Sequence, residues 1–386
     1  MSSLKEILVS IIFMVILVLP VADTLFHFIP EEKNTENRAL KTLPKFDVSF
    51  LDKFPVEFDE YYSDNFNLRN QFIAFNSKLK YNIFNKPPVE GKAFIGYDGW
   101  MYLVKDEMDL YYGNTVAKNN ELANYYNIFR YRKKFLDSIG CKYYVVIVPA
   151  KASVYPEFLP LSKRKSIEKT LTDQIVSLLD TVTGITVIDL RADLKKAKNR
   201  DIRMYHKTDN HWNEYGSYIA YEAIINSLSV DFPNLIPMPI SKFHIETVEA
   251  EGMGLTNMMG IYDGVYEDKI MCKPNFKRKS KKGEKYNYPV VHGFPYTTQY
   301  EIVYTVNNNN LPNMLMIRDS FGAPLIPFLS EHFNKSVYIF DGWHHWLNED
   351  IVINERPDIY LQVVVESFIP NITKNAKKPS KIKKVN

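Results

Sequence analysis

The sequence predicts an α/β domain on a parallel or mostly parallel sheet, preceded by a membrane anchor. Three observations predict it. Short apolar, β-branched runs alternate with helically periodic segments between about residues 119 and 365. One of those runs, Tyr143 to Val148, is continuously apolar and β-branched, which is how a strand covered on both faces reads. And residues 7–29 are apolar except at Ser10, Asp23, Thr24 and His27. The 386 residues allow two to three domains at roughly 150 residues each, or one large domain with additions. With 46% hydrophobic and 24% charged residues, a largely disordered chain is excluded.

Each element follows from its residues. The apolar segment is about 23 residues long and can cross a bilayer core of ~30 Å with some tilt. Lys5 before it holds the N-terminus inside, so the remainder is exported. A cut after Ala22 would put Pro20 where a small residue belongs, which favours an uncleaved signal anchor over residues 1–30 against a cleaved signal peptide. Residues 31–90, with Glu36-Asn37-Arg38 and Phe58-Asp59-Glu60-Tyr61-Tyr62, read as a lead-in of short helices packing on the body. Residues 96–102 read as a β-hairpin turned by Asp98-Gly99. A helix over 119–140 ends at Gly140. Then come a strand over 143–148, a helix near 166–183, a strand over 186–190 and a helix near 213–229. Residues 273–310 read as a basic insertion with β-hairpin character. Strands follow over 314–317, 337–340 and 359–365, with helices near 324–332 and 348–355. The body is expected over 91–370, with a Lys-rich tail over 371–386.

Charge is uneven. Residues 273–285 hold seven Lys or Arg against one Glu, and residues 370–386 hold six Lys and no acid. The formal net charge is only +3, so the rest of the chain is net acidic. A nucleic-acid-binding body would spread positive charge over a folded face, so no nucleic-acid partner is expected. Both runs read as solvated, flexible chain. Aromatics reach 14%, which suits a surface that meets sugar rings, and the 15 glycines argue against Gly-rich phosphate loops. Export permits one disulfide between Cys141 and Cys272, but Cys141 opens an apolar run and equally reads as a buried thiol. No Cys-x-x-Cys or His-Glu-x-x-His occurs, and His206 and His211 lack a third ligand at a recognisable spacing, so no metal is expected.

Two motifs carry chemistry. Arg318-Asp319-Ser320-Phe321-Gly322 stands between a buried strand and a helix. A serine there is lifted from the sheet to a helix N-terminus, where free N–H groups favour the negative charge of an alkoxide or an oxyanion. It would equally serve as a plain N-cap. Thr208-Asp209-Asn210-His211-Trp212-Asn213 precedes the next helix. In extended backbone Asp209 and His211 project to one side, so the carboxylate can orient the imidazole as a base. The alternative is that Asp209 or Asn213 caps the helix while His211 and Trp212 pack.

Together these residues resemble the alginate O-acetyltransferase-like SGNH hydrolase family, the AlgJ and AlgX type proteins and their DHHW relatives. Tyr205-His206-Lys207-Thr208-Asp209-Asn210-His211-Trp212 resembles the family's Asp-x-His-Trp motif, and Arg318-Asp319-Ser320-Phe321-Gly322 its nucleophile block. Val148-Pro149-Ala150-Lys151 resembles its strand-end Pro-x-Lys segment, and Arg356-Pro357-Asp358 leads into a run like its last strand. The resemblance spans roughly residues 36–370. It implies an SGNH-like three-layer αβα domain whose motif order is circularly permuted, with Asp and His ahead of Ser.

The resemblance further implies a triad of Ser320, His211 and Asp209, with Asp319 structural. Asn257 is an oxyanion-hole candidate or a turn residue. Arg318 is a substrate contact or a surface salt-bridge residue. Lys151 supports the site, contacts substrate, or is a solvated strand-end lysine. Trp343 and His345, in Gly342-Trp343-His344-His345-Trp346, line a sugar groove or cover the sheet edge. The implied activity is O-acetylation of an exported polysaccharide or cell-wall glycan through an acetyl-serine. No cofactor is expected, the acetyl group coming from a donor or from a membrane-bound O-acyltransferase partner. A carbohydrate acetyl-esterase with the same triad, and a non-catalytic glycan-binding scaffold, are the alternatives.

Overall fold

The computed structural model describes residues 2–30, 40–45, 52–82, 91–164, 169–261, 264–290 and 294–374. Glu36-Asn37-Arg38 and residues 375–386 of the Lys-rich tail lie outside the described residues. Among the described residues the strands are β1 Ala93–Ile95, β2 Met101–Leu103, β3 Lys142–Val148, β4 Ile185–Asp189, β5 Phe243–Glu251, β6 Tyr266–Pro274, β7 Lys281–Lys282, β8 Glu301–Thr305, β9 Met314–Arg318, β10 Lys335–Phe340 and β11 Ile359–Val365.

The central sheet runs β4-β3-β11-β9-β10-β8-β7. Its first five strands are parallel, and β8 and β7 are antiparallel additions at one edge. Successive side chains on a strand face opposite ways, so the strands of a sheet covered twice read as nearly continuous apolar runs. On β3, Tyr144, Val146 and Val148 join one core, with the helix Glu214–Leu228. Tyr143, Val145 and Ile147 join the other, with the helices Asn119–Ser138, Leu171–Leu179 and Glu349–Glu355. The three-layer αβα class is therefore as expected. β1 and β2 form the expected hairpin, turned through Asp98 (φ +55°) and Gly99 (φ +71°).

Three expectations need correction. Residues 273–310 are not a separate insertion: they supply β7 and β8, and β8 pairs with β10. Nor is the basic run loose throughout. The buried Glu331 carboxylate accepts from the N–H groups of Lys279 and Ser280 (2.8 and 3.3 Å), pinning the segment while Lys279, Lys281 and Lys282 face solvent. The helix near 324–332 is broken into a 3₁₀ turn Ser320–Leu325, a single α-turn Ile326–Leu329 and a second 3₁₀ turn Ser330–His332. Pro324 and Pro327 deny it backbone N–H groups. The long antiparallel hairpin of β5 and β6 has no counterpart among the expected elements. Cys141 and Cys272 are both buried free thiols, so the permitted disulfide is not formed.

The chain divides into two compact units. One comprises Met1–Lys92 with Gly252–Val265. It holds the helix Ser2–Phe26, whose Leu4–Phe26 stretch, with mean hydropathy 2.6, is long and apolar enough to cross a membrane. The helices Phe54–Asn65, Arg69–Asn82 and Gly254–Met259 lie in the same unit. Its buried Asp23 accepts from Ile29 N–H and the Asn67 amide, both at 2.8 Å, which ties the end of the apolar helix to the turn between the next two. The other unit, Ala93–Glu251 with Tyr266–Asn386, holds the sheet.

Asn213 starts the helix Glu214–Leu228 by accepting from Gly216 N–H at 2.9 Å. A Cβ at Gly216 would stand 2.3 Å from the Met204 carbonyl oxygen, which Asn213 N–H already holds at 2.8 Å. Neither atom can yield. Gly216→Ala is therefore expected to lower stability by about 1–3 kcal/mol and to depress the thermal midpoint by several degrees. An unchanged midpoint in calorimetry would contradict this packing.

Candidate active site

Adjacent strands β3, β11 and β9 end together, and at their C-terminal ends stand Lys151, Glu366 and Ser320. Open α/β sheets bind ligands at such ends. Ser320 starts a tight 3₁₀ turn, and Gly322 is required within it. A Cβ there would meet Arg318 Cβ and Met316 Cε, each at 2.6 Å. Asp319 pins this turn: Oδ1 accepts from Phe321 N–H at 2.8 Å and Oδ2 from Val365 N–H at 2.6 Å. Burial pushes the Asp319 carboxyl up to about 6.

The loop 205–213 brings the second motif to the turn. His211 Nε2 lies 2.8 Å from Ser320 Oγ, and Asp209 Oδ1 lies 2.6 Å from His211 Nδ1. The carboxylate can only accept, so the proton sits on Nδ1 and leaves the Nε2 lone pair for the serine hydroxyl. The loop achieves this differently from the extended backbone expected. It bends, with Asp209 Oδ1 also accepting from His211 N–H at 2.9 Å and a bridge between Tyr205 and Trp212 closing its neck. Trp212 Nε1 donates to the Phe321 carbonyl at 3.1 Å, and the His211 ring rests on Phe321 at 4.6 Å between centroids. The His211 side chain keeps 30% of its exposure, so the site is not sealed from solvent. Asn213, not Asp209, caps the next helix.

Two buried charges hold the loop. Lys151 Nζ donates to the carbonyls of His206, Lys207 and Asp209 at 3.0, 3.2 and 2.6 Å, with Trp100 and Tyr102 rings beside it. It is fully buried, so the solvated-lysine reading is wrong, and it supports the site instead of reaching solvent. Burial draws it below the ordinary lysine value, with Glu107 opposing. On the other side Glu267 accepts from Thr208 N–H and Oγ (both 2.6 Å), His206 Nδ1 (3.0 Å) and Arg203 (3.3 Å). Burial opposes its ionisation, but the His206 and Thr208 hydrogen bonds outweigh that and draw it down to about 2. Glu267 lies in β6, where Glu267-Asp268-Lys269 reads as a solvent-facing stretch, so no sequence signal marked it. Glu366, equally unmarked, accepts from Ala150 N–H at 2.8 Å and from Ser153, seating the start of the Lys151 helix.

The remaining expectations fare differently. Arg318 is fully buried, its guanidinium 4.8 Å from the Phe340 ring centroid and donating to the Asp319 carbonyl at 3.1 Å, so it is neither a surface salt bridge nor a substrate contact. His345 is fully buried and lines no groove. Trp343 is half-buried and packs edge-on against Phe340 and Tyr296, which fits the covering aromatic cluster. Asn257 lies in the other unit, on the helix Gly254–Met259, its N–H donating to the Met253 carbonyl at 3.0 Å. Among the described residues no group of three or more His, Cys, Asp or Glu is arranged to hold a metal.

Residues 93–264 match the family model of the SGNH hydrolase-like domain of acetyltransferase AlgX, a stretch that includes Asp209 and His211 and ends before Ser320. The probable alginate O-acetylase AlgJ of Pseudomonas syringae pv. tomato is 27% identical over 168 residues, 43% of this chain and 40% of that protein. The match thus spans less than half of the relative's own length. Bacillus cereus PatB1, solved with a sulfonyl adduct, shares the fold with a TM-score of 0.53 at 18% identity, over 71% of this chain and 94% of that one. A DHHW family protein from Eubacterium siraeum does so with a TM-score of 0.50 at 16% identity, over 74% and 99%. The resemblance drawn from the motifs is matched by the family model over residues 93–264 and by the fold of these two structures.

Glu267 has a pH signature. Its folded value lies below the unfolded one, so its stabilisation is full above about pH 4.5 and is lost as pH falls through about 2. Glu267→Gln should cost about 3 kcal/mol at pH 7, and denaturant unfolding should show the gap from wild type narrowing by more than half at pH 3. A gap that stays constant with pH would contradict the assignment.

Proposed function

We propose that the chain is an extracytoplasmic O-acetyltransferase that acetylates hydroxyls of an exported polysaccharide or cell-wall glycan through Ser320. The observation that carries the reading is the continuous Asp209–His211–Ser320 hydrogen-bond chain at the strand ends. Ser320 Oγ attacks the carbonyl carbon of an acetyl donor while His211 Nε2 takes its proton. The tetrahedral intermediate collapses, and His211 protonates the departing donor group. A glycan hydroxyl then attacks the acetyl-serine, again giving its proton to His211, and collapse returns that proton to Ser320 Oγ as the acetylated glycan leaves. Asp209 fixes the ring and stabilises the imidazolium at each stage.

The names carried by the relatives, an alginate O-acetylase and an acetyltransferase, favour transfer to a polysaccharide over transfer to water. In this reading the apolar helix anchors the chain, the sheet-bearing unit is exported, and a membrane-bound O-acyltransferase passes acetyl groups outward. No cofactor takes part. Domain roles follow: residues 1–30 anchor, 31–90 lead in and 91–370 catalyse.

The test uses p-nitrophenyl acetate with and without oligosaccharide acceptors. Ser320→Ala and His211→Ala should each lower turnover at least about 1,000-fold, and acetylated oligosaccharide should form in wild type. Full activity in both variants would overturn the triad. Turnover without acetylated sugar under any acceptor would favour an esterase, and oligosaccharide binding by an inert wild type a scaffold.

A further inference from the structure

Behind the Ser320 turn lies a buried polar cluster that the acyl-transfer scheme leaves unused. His345 is fully buried there, and neither of its ring nitrogens has a hydrogen-bond partner. Its Nε2 lies 3.7 Å from Asp319 Oδ2, a gap that a small ring displacement closes. Asp319 is the residue that ties the nucleophile turn to β11.

The backbone is spent on putting the ring there. After β10, Gly342 (φ +69°), Trp343 (φ +67°) and His345 (φ +52°) all adopt left-handed conformations, which L-residues other than glycine avoid. The strained loop is locked from both sides. Arg132 Nη2 donates to the His345 carbonyl at 2.6 Å, and Trp346 N–H donates to Asp341 Oδ2 at 2.8 Å. Arg132 is in turn fixed on Gln362 at 2.8 Å. Strain held in this way marks a side chain whose place matters.

We propose that His345 is a positioning residue for the nucleophile: its neutral imidazole donates a hydrogen bond from Nε2–H to Asp319 Oδ2 and so keeps the Ser320 turn in register with His211. The inference rests on the reading of Ser320 as the nucleophile. Burial lowers the His345 pKa to about 3 and raises that of Asp319 to about 6, so near neutral pH the ring is an uncharged donor facing a carboxylate. The groups facing Asp319 are Arg318 from its own strand, His211 from the loop 205–213 and His345 from the loop after β10. Arg132 and His344 face the His345 ring, and Asp341 takes its backbone N–H. Without the imidazole donor Asp319 keeps its proton to higher pH. A protonated carboxyl cannot hold Phe321 N–H and Val365 N–H equally, and the turn loosens.

The experiment follows labelling of the full chain by an arylsulfonyl fluoride, read by mass spectrometry at Ser320 between pH 5 and 8. His345→Leu should label at least about tenfold more slowly at pH 7, with its acid limb about one unit higher. His345→Gln, which keeps an N–H donor, should stay within about threefold of wild type. His345→Leu matching wild type in rate and limb, with Ser320→Ala unlabelled, overturns the inference alone. Labelling of Ser320→Ala overturns the nucleophile reading beneath it. Should His345→Leu not fold, nitrogen-15 NMR of the wild-type ring decides. A neutral ring with an exchange-protected proton on Nε2 supports the proposal, and a proton on Nδ1 overturns it.

Discussion

The site depends on a loop of backbone gripped by charge from both sides. Lys151 takes carbonyls of the loop 205–213 and Glu267 takes its N–H and hydroxyl groups, so the segment carrying Asp209 and His211 has its polar backbone satisfied before it reaches Ser320. A loop left to water would not hold an imidazole at 2.8 Å from a hydroxyl on a different element. Buried charges are costly unless fully hydrogen-bonded, and both are. Asp319 and Glu366 repeat the device, each accepting from backbone N–H groups beside neighbouring strand ends. Carboxylates fastening backbone are thus the common means by which the end of the sheet is made rigid.

Much of this was legible in the sequence. The parallel strands were, because burial on both faces leaves 143–148 without charged or amide side chains and 359–365 with Gln362 alone. The two chemical motifs were, because each sits where a strand end or a helix start must fall. The hairpin character of the antiparallel edge was too, but not its place in the central sheet: Val303 alone of β8 faces the second core, and Tyr, Pro and Asn neighbours mask its period. Nor were the supports. Arg318, Lys151 and His345 carry polar side chains that composition assigns to the surface, yet all three are buried, and for Lys151 the carbonyls that receive it lie more than 50 residues away in sequence. Glu267 is 56 residues from His211 in the chain, and only the β5–β6 hairpin brings it back.

The two halves of the chain answer different demands. An apolar helix of 23 residues suits attachment to a membrane, while the sheet-bearing unit presents an open, partly exposed serine and histidine. Substrates too large to enter a closed pocket, such as polymer chains, need such an open face. The buried polar interior behind it, from Glu366 to His345, is where precision is kept while the front stays accessible.

The central claim is that Ser320 carries the acetyl group between donor and acceptor. The most direct measurement is an acid quench of the full chain with p-nitrophenyl acetate and no sugar, followed by peptide mapping. The account predicts one acetyl group on the peptide holding Ser320, discharged when a competent oligosaccharide is added. An acetyl group on another residue, or continued turnover with Ser320 unmodified and no burst, would contradict it.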